Sequence, residues 1–445
     1  MPTPEVSEQT LPNGLRVLVA STHDVPLVSA RLTFATGAAD DPADKAGLAP
    51  FAAGLLSEGT STQKAPEIAA ELESLGAVVG ASAGYDFTGV SANSPADVFP
   101  KTAALMAAIT RDPTFADDEL ARAQQQSLDG LRVSLTEPGS IAGFVVARVL
   151  FGSAPYGAAV SGTPASIPRI TRDDLVAFHG AHYRPGSAKL TFSGDIEPNA
   201  AFALAEQLFG DWGDPDVAAP PAVDAAGPVL PPRVVVIDQP GSGQAAVYAA
   251  ARAIERTDPD FYPLVVANTV LGAGYSSRLN QEIRLKRGLS YGASSSLGTR
   301  LHGGVFAASA QTRNDAAVMV SDLMLGELTR IGSEPVPTAE LDVRATALIG
   351  GFSGSLESVD GLVGQVASLA AYDLPLTELS DYPTKVRAVS PEQLQQAFGK
   401  RLPTSAFSLI IVGDAAKFLP ALKAKHPTVE VIPVDELDLD SATLR

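Results

Sequence analysis

Cysteine is absent from the 445 residues, which excludes a disulfide framework, a thiolate nucleophile and a Cys-type zinc site. Basic residues are scarce as well: 32 Lys and Arg stand against 50 Asp and Glu, for a net charge of -18. That balance repels a polyanion, so nucleic acid is not an expected partner. The acidity reads as a solubility device, and in a sharper version as a preference for basic peptides or a basic partner surface. No uninterrupted apolar stretch reaches the ~20 residues that span a bilayer. The opening MPTPEVSEQTLPNGLRVLVA has no basic segment followed by an apolar one. A soluble chain with no membrane partner is expected, cytoplasmic as written or periplasmic where a signal peptide has been removed; the compartment itself stays open.

What is present is an ordinary globular composition, 45% apolar and 18% charged, which should fold throughout. Single cores stop growing at about 250–300 residues, so two or more domains are expected. The chain also echoes itself faintly. The strand-like LTFSGDI ends at Gly194-Asp195 and LIIVGDA at Gly413-Asp414; upstream, Leu175 in RDDLVAFHG and Leu394 in PEQLQQAFG repeat the same offset. The helix-like ELARAQQQSLDGLRVSL from Glu119 and ELDVRATALIGGFSGSL from Glu340 form a looser third pair, all three about 220 residues apart. Three echoes in one order predict a duplication.

RVLVAST and VSARLTFATG carry the alternation and β-branching of strands. In APEIAAELESLG, Ile68, Leu72 and Leu75 fall at helical spacing and Gly76 stops the run. Paired strands separated by helices predict an α+β fold: two homologous domains, each a largely antiparallel sheet with helices packed on one face. The expected division is 1–215, a Pro/Ala-rich linker over 216–232, and 233–445.

The segment Leu11 to Thr60, with Asn-Gly-Leu-Arg-Val, Gly37, Ala46-Gly47-Leu48-Ala49 and Glu58-Gly59-Thr60 in order, resembles the opening of the pitrilysin/insulinase-type zinc metallopeptidases, in their mitochondrial-processing-peptidase-like branch. The resemblance extends through FHGAHYRPGSAKLTFSGDI to LGAGYSSRLNQEIRLKRGLSY. Active members carry His-x-x-Glu-His on the helix after Gly-Leu-Ala, two imidazole ligands and a general base. Here Pro50 replaces the first His, Ala53 the Glu and Gly54 the second His. A third ligand, a Glu about 75 residues downstream in the family, aligns with Gly130; Asp129, one residue before it, is about 100° around the helix. His179 and His182 have a ligand-like spacing, but their helix runs into the turn HYRPG with no third ligand nearby. Both read as surface or packing residues.

The second half departs less. In LGAGYSSRLNQEIRLKRGLSYGASSSL a helix from about Phe261 is expected to stop at Gly272. A second, amphipathic helix from about Ser276 should end at Gly288, before a strand through Tyr291. The resemblance implies that Arg284 and Tyr291 act as catalytic residues in trans, holding the substrate backbone beside a partner's zinc; Arg278, Lys286 and Arg287 read as surface or structural. It further implies a half-shell that closes with a homologous zinc-bearing subunit, as a heterodimer around an unfolded or short peptide. The expectation is therefore a non-catalytic subunit with no cofactor of its own and no peptidase activity alone. A purely structural subunit and a peptide-binding module without catalysis are the alternatives.

Overall fold

The computed structural model describes residues 4–213 and 223–445. In the first half, the described residues form strands β1 (Val6–Thr10), β2 (Arg16–Ser21), β3 (Leu27–Phe34), β4 (Val78–Ala83), β5 (Thr88–Pro95) and β6 (Ala188–Gly194) and seven α-helices. These are α1 (Leu48–Gly54), α2 (Ala65–Leu75), α3 (Phe99–Arg111), α4 (Asp117–Ser134), α5 (Pro138–Phe151), α6 (Arg172–His182) and α7 (Pro198–Phe209). The second half carries β7 (Val234–Asp238), β8 (Ala245–Arg252), β9 (Ala293–Gly298), β10 (Val305–Thr312), β11 (Ser408–Gly413) and β12 (Glu430–Pro433). Its α-helices are α8 (Phe261–Leu271), α9 (Ala317–Ser333), α10 (Thr338–Ser355), α11 (Val359–Ala371), α12 (Glu378–Arg387), α13 (Pro391–Arg401) and α14 (Leu419–Lys425).

Among the described residues the strands form two six-stranded sheets, ordered β1-β2-β6-β3-β5-β4 and β12-β7-β11-β8-β10-β9. The last five strands of each order correspond one to one. β3 and β8 each pair antiparallel with both neighbours, while β2 with β6 and β7 with β11 are parallel. The echoes seen in the sequence fall on equivalent elements: Gly194 and Gly413 end β6 and β11, Leu175 and Leu394 are fully buried on α6 and α13, and α4 matches α10. The outer strands differ, since β1 runs antiparallel to β2 whereas β12 runs parallel to β7.

Two compact units result, and neither is a contiguous stretch. One comprises Met1–Leu128, Val160–Val223 and Gly351–Tyr382; the other comprises Asp129–Ala159, Asp224–Gly350 and Pro383–Arg445. Each sheet therefore receives a helix from the other half of the sequence. In the first unit, residues of one parity, such as Phe192 against Phe99, face that half's own helices. The opposite parity meets α11: Leu18 and Ala20 pack with Leu362, Val366 and Leu369, and Ser193 Oγ donates to the Val359 carbonyl at 2.7 Å. In the second unit α5 lies on β8 and β11, and the Arg252 guanidinium donates to the Leu150 carbonyl at 3.0 Å. A division into 1–215 and 233–445 leaves out these exchanged segments, because the apolar faces of α5 and α11 are buried on the sheet of the other half. Of the expected linker, 216–222 lies outside the described residues. Each fully buried Leu or Phe of these layers contributes about 1.5–3 kcal/mol.

Candidate functional site

Helix α1 starts after Gly47, whose φ of 100° suits a residue without Cβ. Its first amides are held by one carboxylate: Gly47 N–H and Ala49 N–H donate to the two Asp41 oxygens at 2.9 and 2.8 Å. Burial pushes the Asp41 carboxyl up to about 7, against the pull of those backbone donors. On this helix Ala53 is buried, Pro50 half-buried and Gly54 exposed. Gly130 is exposed on α4, and a Cβ built at Gly54 or Gly130 would meet nothing within 4 Å. Proline, alanine and glycine have no side-chain donor atom, so the zinc implied by the resemblance does not fit these positions.

Nearby alternatives are engaged elsewhere. Asp129 is exposed and pairs with Arg132 at 2.6 Å. His179 Nε2 lies 2.8 Å from the Thr110 carbonyl, with its ring against Phe115, and His182 stacks on Phe178. Burial lowers the pKa of both imidazoles, as the packing role expected of them requires. Among the described residues no group of three or more His, Asp or Glu could hold a metal ion.

The second-half motif builds a cavity. Helix α8 ends at Gly272 as expected, but the next helix is a π-helix, Asn280–Leu285, in which Lys286 N–H reaches back to the Gln281 carbonyl at 2.9 Å. One residue is thereby added to the turn that carries Arg284, the kind of local widening common at functional sites. Tyr291 is not on a strand; it sits in the irregular segment between Gly288 and β9 and is 92% exposed. The structure brings Arg284 and Tyr291 together nevertheless. The guanidinium carbon lies 4.9 Å from the centre of the Tyr291 ring and 4.9 Å from that of Tyr275, at cation–π distance from both.

A cavity of about 600 Å³ opens under this group. Tyr248, Ser294 and Ser309 line it from β8, β9 and β10, with Gln311 beside them, and Arg284, Tyr275 and Tyr291 line it from the π-helix and its flanks. The segment before the π-helix is anchored on α10: Arg278 makes two bonds to Glu340, at 3.0 and 2.7 Å, and Arg344 donates to Ser276 Oγ at 3.1 Å. Arg278 is thus structural. Lys286 and Arg287 both pair with Glu282, on the surface. Among the described residues Arg284 has no carboxylate partner. Tyr275 and Asp41 were not singled out from the sequence. An aromatic directly after Gly272-Ala273-Gly274, and an acid six residues before the helix-opening Gly47, were the available signals.

Comparison with known proteins places these features in context. Residues 16–141 match the family model described as Insulinase (Peptidase family M16), and residues 169–348 match the model described as Peptidase M16 inactive domain. An uncharacterized zinc protease of Mycobacterium leprae is 27% identical over 352 residues, covering 79% of this chain and 79% of that protein. A crystal structure described as a peptidase M16 inactive domain from Pseudomonas fluorescens is 30% identical, with a TM-score of 0.85, covering 92% of this chain and 98% of that one. A protease from Helicobacter pylori shares the fold, with a TM-score of 0.87 at 21% identity.

Proposed function

The chain belongs to the insulinase-type M16 peptidase family, and from that premise we propose that it is the non-catalytic subunit of a heterodimeric zinc peptidase. In this reading a homologous, zinc-bearing partner hydrolyses an unfolded or short peptide, and this chain lends Arg284 and Tyr291 to the partner's site. One observation carries the proposal. The helix that holds metal in active relatives has no donor atom at Pro50, Ala53 or Gly54, while Arg284 lines an open cavity with its donors unclaimed by any carboxylate among the described residues.

The residue types suit that task. A guanidinium stacked on aromatic faces keeps its in-plane N–H groups free and fixed in direction, which fits it to hold a peptide carbonyl. The Tyr291 phenol, almost wholly exposed, can donate a hydrogen bond to an oxyanion as a tetrahedral centre develops. Neither group needs a metal on its own chain.

Copurification from the native source, followed by peptidase assays of each subunit alone and of the pair, tests the reading. Cleavage by the pair and by neither subunit alone is expected. A zinc partner as active alone as in the pair would reduce this chain to a structural subunit. Stoichiometric zinc and cleavage by the isolated chain would overturn the account altogether.

A further inference from the structure

The cavity beneath Arg284 has a charge character opposite to that of the molecule. The chain carries 50 acidic residues and a net charge of -18, yet among the described residues no Asp or Glu lines the cavity and Arg284 is the one charged group that does. Around it stand hydroxyl and amide donors: Tyr248, Tyr275, Tyr291, Ser294, Ser309 and Gln311. The neighbouring acid, Glu282, is turned to Lys286 and Arg287, whose two cations hold its carboxyl below the usual range. The cation–π contacts to Tyr275 and Tyr291 engage the guanidinium through the rings and leave hydrogen-bond donors in its plane.

The backbone edge beside the cavity is already used. Ser295 N–H bonds to the Gly272 carbonyl at 3.4 Å and Ala293 N–H to Asn280 Oδ1 at 3.4 Å. Adding a peptide strand along β9 is therefore blocked at these two positions, and recognition falls to the side chains. A planar fork of donors ringed by hydroxyls, with no counter-ion among the described residues, can hold a carboxylate as well as a neutral carbonyl, and holds it more tightly, because charge-assisted bidentate pairs are about twice as strong as neutral hydrogen bonds.

Resting on the reading that this cavity meets substrate, we propose that it selects peptides by a carboxylate, either an Asp or Glu side chain or the chain's own C-terminus, held by Arg284. The surrounding acidity repels a heavily charged ligand, so the preferred peptide carries one carboxylate rather than a run of them.

Anisotropy titrations of the full-length chain, without partner, use three octapeptides bearing a neutral fluorophore. One has a single internal Glu and an amidated end; one has a free C-terminus and no acid; the third has Gln and an amidated end. At least one carboxylate peptide is expected to bind about tenfold or more tightly than the neutral one, and the pair of arms tells which source of carboxylate is used. Arg284→Gln should erase the preference, and Arg284→Lys should keep part of it, with a melting temperature equal to the parent's showing that both variants fold. Equal affinity for all three peptides, no binding of any, or a preference that survives Arg284→Gln overturns the proposal. The partner-dependent assay fails or succeeds separately: carboxylate preference without stimulation of a partner sinks the heterodimer reading alone, and stimulation without the preference sinks this inference alone.

Discussion

Helix α1 and the π-helix Asn280–Leu285 are both short, both framed by glycines, and both lie in the segments by which the chain matches its family. They have kept opposite things. α1 has a well-held start, with Gly47 before it and Asp41 across its first amides, but Pro50, Ala53 and Gly54 stand where the family resemblance implies metal ligands and a base. The π-helix retains its polar output: Arg284 is aimed between two tyrosines over a cavity, with the helix approach anchored on α10 through Arg278 and Arg344. Capping and packing stabilise α1 whether or not a metal follows. Arg284, half-buried against two rings and with no carboxylate partner among the described residues, has no comparable structural role.

The sharpest way to break this contrast is to put function back where it is missing. Ala53→Glu buries a carboxylate at a position only 1% exposed. With no partner it should destabilise the chain by about 3 kcal/mol or more, measured by urea unfolding. A neutral result would mean that α1 has stayed ready for a catalytic base.

The second test sets against each other two arginines that are close in sequence but different in role. Arg278→Ala strips Glu340 of a bidentate partner beside a buried stem and should cost about 2 kcal/mol of stability. Arg284→Ala, which breaks no ion pair and loses only the two ring contacts, should cost about 1 kcal/mol or less. Equal losses in thermal melts would show that Arg284 is a structural residue after all.

The smallest effect concerns Asp41. Its folded-state pKa of about 7 lies above its ordinary 3.8, so the folded chain binds the proton more tightly than the unfolded one. The stability this gives is fully present below about pH 4 and is lost as pH rises towards 7. Compared with Asp41→Asn, which cannot ionise, the parent should lose at least ~1 kcal/mol of relative stability between pH 4 and 7. A difference that is flat or grows with pH would mean that the amides of Gly47 and Ala49 outweigh burial.

Much of this was legible in the sequence. The strands around Leu18 and Leu32, the helix stopped by Gly76, and the duplicated Gly194 and Gly413 follow from local patterns, and the structure has each of them. The exchange of α5 and α11 between units was not legible. Their buried faces, Ile141, Val145 and Val149 or Leu362, Val366 and Leu369, say that they pack and not on which sheet. At the site, the family resemblance pointed to Arg284 and Tyr291, but nothing pointed to the widened turn or to Tyr275, since a π-turn uses the same residues as an α-helix. That Pro50, Ala53, Gly54 and Gly130 hold no metal needed no structure at all, because no fold gives proline, alanine or glycine a side-chain donor atom.

The central claim is that Arg284 and Tyr291 serve a reaction whose metal sits on another chain. Its most direct test is the peptidase activity of the assembled pair carrying Arg284→Ala or Tyr291→Phe here, with assembly verified by gel filtration. The account predicts a loss of kcat/KM of tenfold or more with the complex intact, in line with the ~2.7–4 kcal/mol attached to a single transition-state donor. Activity near the parent's in both variants would contradict it.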